Sequence, residues 1–221
     1  MNIQLIQLIF AKLWTMRKNL KAEIRKPSIL ENYYQILLEE GFEGASIGKI
    51  AKRMNIHPSL IIHYFKTKEN MTIELVDLLI EKYEAPEFLQ LSDIKDLNMR
   101  FQAFINTLFS FEWSRTIDPG IHFFFYYLSF RNPKIRERYE AMIQGFRDYL
   151  VNELRIYKRE GIVKVKDLKK AADIIVTLME GLEFHTHFLS ERQPFEDFAN
   201  YAKRTVFSML RNQNFPANFA D

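Results

Sequence analysis

Cysteine is absent from the 221 residues, which removes thiolate nucleophiles, Cys-ligated zinc, iron–sulfur clusters and disulfides together. Such a chain suits a reducing cytosol, and a cytoplasmic location is expected. Glycine and proline are scarce, seven of each, so collagen-like, linker-rich and disordered chains are excluded. No run reaches the roughly 18 uncharged apolar residues of a membrane helix, and no membrane partner is expected. There is also no glycine-rich phosphate loop, no serine-centred elbow and no His-Glu pair at metallopeptidase spacing. No catalytic residue is assigned, the chain is not expected to be an enzyme, and no cofactor is expected.

What the chain has in plenty is aromatic residues: 20 Phe, 10 Tyr and 2 Trp. Its net charge of +3 is small but unevenly spread. Through Lys68 there are eleven Lys and Arg against five Glu, and the remainder is net acidic. A basic first third on an acidic body fits a first third that meets a polyanion.

Hydrophobic spacing reads as helix almost throughout, with no alternating strand pattern and no internal repeat. Residues 1–25 form an extension expected to be helical. Within it Met1–Met16 is amphipathic, with Ile3, Leu5, Ile6, Ile9, Phe10 and Leu13 interrupted by Gln4, Gln7 and Lys12. No small-residue cleavage site follows, so a secretory signal is not expected. A helix packing on the body, a membrane-surface helix and an upstream extension with Met16 as the start all stay open. Pro27 opens a helix that should stop at Gly41. Ser46 caps a short helix to Met54, Asn55 turns the chain, and Pro58 starts another short helix to Phe65. Thr67 caps a fourth, ending before Pro86. Longer helices are predicted near 93–112, 120–130, 134–159, 167–189 and 195–211. The expectation is an all-α chain: a three-helix domain over 26–75, then a larger antiparallel bundle over 76–221.

Short helix, tight turn, short helix is the geometry of a helix-turn-helix. The segment Ser46-Ile-Gly-Lys-Ile-Ala-Lys-Arg-Met-Asn-Ile-His-Pro-Ser-Leu-Ile-Ile-His-Tyr-Phe-Lys-Thr-Lys-Glu resembles the DNA-binding segment of TetR-family transcriptional regulators. Ile50-Ala51, Ile56, Ile61, His63-Tyr64-Phe65, Lys66 and Lys68-Glu69 carry the resemblance, which covers about 27–75. It implies double-stranded operator DNA as a partner, a homodimer, and a small-molecule effector bound by the body. It also implies phosphate contacts by Ser46, His63, Tyr64 and Lys68.

The residues read the same way on their own. Ile47, Ile50, Ala51, Ile56, Ile61 and Phe65 should form a small core. That leaves Ser46, Lys49, Pro58, Ser59, Leu60, His63 and Tyr64 as candidates for the outer, DNA-binding surface, where hydroxyl, ammonium and imidazole groups meet phosphate oxygens. The chain departs from the usual family pattern at Pro58–Ile62. Ile62 cannot make the phosphate hydrogen bond of the customary Tyr, while Leu60 could lie against a thymine methyl.

In the body, Phe101, Phe104, Phe109, Phe111, Trp113 and the run His122–Tyr127 concentrate aromatic surface. Five consecutive aromatics cannot all face one core, because a helix turns about 100° per residue. The resemblance implies a ligand pocket here, and Trp113, His122, Tyr126, Phe146 and Met179 are the candidate ligand-binding residues for a hydrophobic or aromatic effector. Wide apolar stripes on 167–189 and 195–211 point to packing both inward and against a second subunit. Gly181 in mid-helix points to a close backbone approach. His185 and His187 raise a metal-responsive alternative, but i and i+2 lie on different helix faces, so no metal site is assigned. An all-α interaction module without DNA binding is the other alternative. The function expected is ligand-released repression at a near-palindromic operator.

Overall fold

The computed structural model describes residues 25–84, 91, 93–115, 118–188, 195–213 and 215. The extension expected at the start of the chain, and the stop expected at Pro86, lie outside these residues. The described backbone holds helices and no strand, and the chain divides into two units, one ending at Ile80 and one beginning at Glu81.

In the first unit α1 covers 25–44, α2 Ile47–Arg53, α3 Pro58–Phe65 and α4 Lys68–Glu84, whose last four residues belong to the second unit. Helix α1 runs past the stop expected at Gly41. With φ of +70°, Gly41 takes a left-handed conformation at little cost, and its carbonyl still accepts the Ala45 N–H at 3.2 Å. Elsewhere the punctuation is local. The Ser46 hydroxyl accepts the Lys49 N–H, Asn55 turns the chain at φ 51°, and Pro58 occupies the first turn of α3. The Thr67 hydroxyl accepts the Asn70 N–H at 3.0 Å and caps α4.

The core of this unit is Ile29, Tyr33, Ile36 and Leu37 from α1, Ile50 and Ala51 from α2, Ile61 and Phe65 from α3, and Met71, Leu75 and Val76 from α4. Ile47 and Ile56, expected in that core, are only half-buried. One polar tie crosses it: the Tyr33 and Thr72 hydroxyls share a hydrogen bond of 2.9 Å. At its edge Lys26 donates to both carboxylate oxygens of Glu74, at 2.9 and 2.8 Å. That pair is one-third exposed, so it contributes no more than about 1 kcal/mol.

The second unit continues with α5 Leu97–Leu108, α6 Phe111–Ser114, α7 Pro119–Ser129, α8 Pro133–Arg159, α9 Leu168–Phe188 and α10 Phe195–Arg211. The single helix expected over 93–112 is thus two. Phe109 leaves helical geometry, and the Ser110 hydroxyl accepts the Trp113 N–H to start α6. Helix α8 packs on α5, α7 and α9, and α10 on α9 and α5. Phe101, Phe104, Ile105, Leu150, Leu154, Tyr157, Ile175, Val206 and Leu210 fill the space between them. Gly161, at φ +73°, ends α8 by letting the Ile162 and Val163 N–H groups return to the Tyr157 carbonyl. The following loop closes on α10, where Lys164 and Val165 both donate to the Leu210 carbonyl.

Candidate nucleic-acid interface and aromatic body

Helix α3 is held from one side. Ile61 and Phe65, four residues apart, are buried to 0% and 2% exposure and anchor it on the core. The Ile56 N–H donates to the Ala51 carbonyl at 3.0 Å and fixes the turn between α2 and α3. His57 caps α3: its Nδ1 accepts the Ser59 N–H and lies 2.7 Å from the Ser59 hydroxyl. The opposite side of α3 then shows Ser59, Ile62 and His63 to solvent, with Pro58, Leu60 and Tyr64 half-buried beside them and Lys66 exposed just past its end. The His63 and Tyr64 rings meet edge to face at 5.5 Å.

The basic residues divide into engaged and open ones. Lys49 is ion-paired with Glu40, and Arg53 with Glu39 at 2.7 Å, so α1 carboxylates neutralise two of the three cations of α2. The hydrogen bond from Arg53 holds the exposed Glu39 carboxyl below its ordinary value. Lys68 donates to the Phe42 carbonyl at 2.8 Å with its ammonium 3.9 Å from the Phe42 ring centre, and its burial lowers its pKa. Ser46 is exposed, and its hydroxyl oxygen accepts in the α2 cap while its O–H can still donate. Lys52 and Lys66 stand exposed, Lys66 with a backbone φ of 67° and its ammonium 3.0 Å from the His63 carbonyl. Lys52, His57, Ile62 and Lys66 are exposed too, and none is among the surface candidates read from the sequence. Lys52 follows the buried Ile50 and Ala51 on α2, and His57 and Lys66 are the two caps of α3, so only Ile62 could be phased against Ile61 and Phe65.

The candidate ligand residues of the body fall into separate groups. Trp113 stacks on Phe146 at 5.7 Å, and Phe146 on Tyr149 at 6.5 Å. His122 and Tyr126 instead flank Tyr139, at 6.4 and 6.0 Å between ring centres. His122 Nε2 lies 3.2 Å from Glu180 Oε2. The Tyr139 hydroxyl is buried without a hydrogen-bond partner among the described residues, and desolvation, then the nearby Glu180, push its pKa up. Met179 packs half-buried against the main core. Of the five aromatics in a row, Phe125 is buried, Phe123 and Phe124 are half-buried, and Tyr126 and Tyr127 are exposed. A groove of about 450 Å³ lies elsewhere, between α5 and α10, lined by Gln102, Asn106, Arg204, Phe207, Ser208 and Arg211.

On α9, His185 lies against Phe198, with ring centres 3.8 Å apart, while His187 Nε2 lies 3.0 Å from Glu183 Oε1. Glu183 also accepts from Arg115 at 2.9 Å. The two imidazoles thus have different neighbours, and no group of three or more metal-ligating side chains occurs among the described residues. No described helix is long and apolar enough to cross a membrane.

Residues 29–75 match the family model described as "Bacterial regulatory proteins, tetR family". Residues 95–212 match "Tetracyclin repressor-like, C-terminal domain". The HTH-type transcriptional regulator PksA of Bacillus subtilis is 34% identical over 67 residues, which are 30% of this chain and 33% of that protein. This chain therefore spans about a third of the length of the curated relative it matches. A TetR transcription regulator from Haloarcula marismortui superposes with a TM-score of 0.71 at 17% identity, over 85% of this chain and 99% of the other. A regulator from Saccharomonospora viridis in complex with choline gives 0.70 at 17%, over 83% and 96%. At these identities the two structures establish the shared fold.

Proposed function

Because the chain belongs to the TetR family of bacterial regulatory proteins, we propose that it is a homodimeric repressor released from a near-palindromic operator by a small effector. The observation that carries this reading is the outer side of α3. Ser59 and His63, with Lys66 just past the helix end, offer hydrogen-bond donors or positive charge on the exposed side of a helix whose other side is locked by Ile61 and Phe65. Such a helix enters a major groove as a rigid body, with its flanking donors on phosphates. In this reading Ser46, Lys49, Tyr64 and Lys68 serve the phosphates, and Pro58, Ser59 and Leu60 approach base edges. The protein works where its operator lies, in the cytoplasm.

One eight-residue helix offers few base contacts, so two copies about one DNA turn apart are required. Exposed residues on the last two helices suit a second copy: Thr177, Gly181, Phe184 and Phe188 on α9, and Tyr201 and Thr205 on α10. A Cβ added at Gly181 would meet nothing within 4 Å in this chain, so the close approach expected at this glycine would be to a partner helix. The effector is assigned to the body, with Trp113 and Phe146 in one aromatic group, His122 and Tyr126 in the other, and Met179 next to Glu180 on α9. Glu180 lies beside His122. A hydrophobic or aromatic molecule suits these surfaces. The two units share the continuous helix α4, and an effector that prefers the DNA-incompetent arrangement would weaken operator binding about 5–150-fold.

The test is binding of the whole protein to random and selected duplexes across a salt series. The expected result is a steep fall of affinity with salt and a protected site with two-fold symmetry. Absence of salt-dependent duplex binding would leave a protein-interaction bundle as the better account.

A further inference from the structure

Ile62 is 47% exposed on the outer side of α3, between residues that present hydrogen-bonding groups. The helix cannot roll to hide it, because Ile61 and Phe65 are both buried and the turn before α3 is fixed by the Ile56–Ala51 hydrogen bond. Leu60, which sequence reasoning placed against a thymine methyl, is half-buried on the other flank of the same helix. We propose that Ile62 is a base-reading residue, and that what it reads is the C5-methyl group of a thymine in the major groove. This inference rests on the reading that α3 enters that groove.

The chemistry leaves Ile62 one kind of base-edge partner. It has no donor or acceptor, so it cannot bond a phosphate or distinguish the polar atoms of guanine, adenine or cytosine edges. Among the four bases, thymine alone presents a methyl group in the major groove. A β-branched side chain in a helix is held in essentially one χ1 rotamer, so ordering Ile62 against the base costs little entropy. Ser59 and His63 lie three residues before and one residue after it on the exposed side, close enough in helical phase to hold the helix at the groove while Ile62 touches the base.

The experiment uses the full chain and a duplex selected from random sequence for tight binding. Thymines of that duplex are replaced by deoxyuridine, which deletes the methyl and nothing else, one symmetric pair of positions at a time. At one pair the wild-type protein should lose about four-fold in affinity per half-site, or about fifteen-fold for the dimer, from the removal of one buried methyl at each site. Ile62→Ala should bind the thymine duplex correspondingly weakly and show less than a two-fold difference between the two duplexes. Ile62→Val should keep most of the difference, and Leu60→Ala should keep all of it. If the deoxyuridine penalty persists in Ile62→Ala, or vanishes in Leu60→Ala instead, the assignment to Ile62 is overturned. If no thymine methyl matters while the duplex still binds with a steep salt dependence, Ile62 reads nothing and the DNA-binding reading stands. If the wild-type chain binds no duplex at all, both readings fail together.

Discussion

The ammonium of Lys68 reaches back 26 residues to donate to the Phe42 carbonyl and lies over the Phe42 ring. One side chain thereby joins the start of α4 to the segment before α2. A hydrogen bond from a charged donor and a cation–π interaction together are worth about 1–2 kcal/mol at a partly exposed site. Lys68→Met should lower the unfolding free energy of the chain by that amount, measured by urea denaturation. Two of the three Lys68 N–H donors remain for phosphate. We therefore expect the salt slope of duplex binding to fall as well, by about 0.9 for each phosphate that Lys68 no longer neutralises. Reduced stability with an unchanged slope would make Lys68 a purely internal tie.

The Tyr33 phenol is fully buried, and burial pushes its pKa from 10.0 up to about 12, against a smaller opposing effect of the Thr72 hydrogen bond. A raised folded-state pKa gives stability that is complete below pH 10 and is lost as pH climbs through 12. The difference corresponds to roughly 2–3 kcal/mol. Chemical denaturation across pH 9 to 12 should show this fall together with those of Tyr139, Tyr149 and Tyr157, whose pKa values burial also raises. Tyr33→Phe should make the decline shallower while lowering stability at pH 7 through loss of the hydrogen bond to Thr72 Oγ1, whose own O–H still donates to the Lys68 carbonyl. An equally steep decline in Tyr33→Phe would place the titrating group elsewhere.

Most of the helical punctuation was legible because it is local. Ser46, Asn55, Pro58, Thr67 and Gly161 each act on residues one turn away, through a side-chain cap, a positive φ or a fixed one. The break at Phe109–Ser110 was not legible, since the apolar spacing of α5 continues through Phe111. Helical phase likewise separated the inner and outer sides of α3, but not which flank is better covered. That depends on the angle at which α3 meets α1 and α2, and it left Ile62 exposed and Leu60 half-buried. The engagement of Lys49 with Glu40, nine residues away, depends on how α2 sits against α1.

Gly181 stands exposed in the middle of α9 with open space where a Cβ would be. In an isolated subunit Gly181→Ala should therefore stabilise the helix, by about 1 kcal/mol. If two copies cross at this glycine, the same change should weaken the dimer, raising its dissociation constant in analytical ultracentrifugation. Opposite signs in the two measurements are the expected outcome. A more stable protein with unaltered association would move the interface away from Gly181.

Tyr139 keeps its ring among His122 and Tyr126 and its hydroxyl without a partner among the described residues. Removing an unsatisfied buried hydroxyl costs nothing, so Tyr139→Phe should match or exceed the wild type in thermal stability. An effector that seats in this group would supply the missing partner. Its binding, followed by titration calorimetry, should weaken about 5–10-fold in Tyr139→Phe, the worth of one hydrogen bond. A marked drop in melting temperature would show that the hydroxyl is already satisfied without ligand.

On the proposed reading, the pairing of Lys49 with Glu40 and of Arg53 with Glu39 bears on how the protein finds its operator. Sliding along unrelated sequence depends on the number of cations offered to the phosphate rail, and Lys49 and Arg53 offer theirs only by giving up Glu40 and Glu39. A regulator with this surface should dwell briefly on the bulk of the chromosome. Fewer copies would then be tied up at wrong addresses, and a smaller pool would suffice to keep the right one occupied.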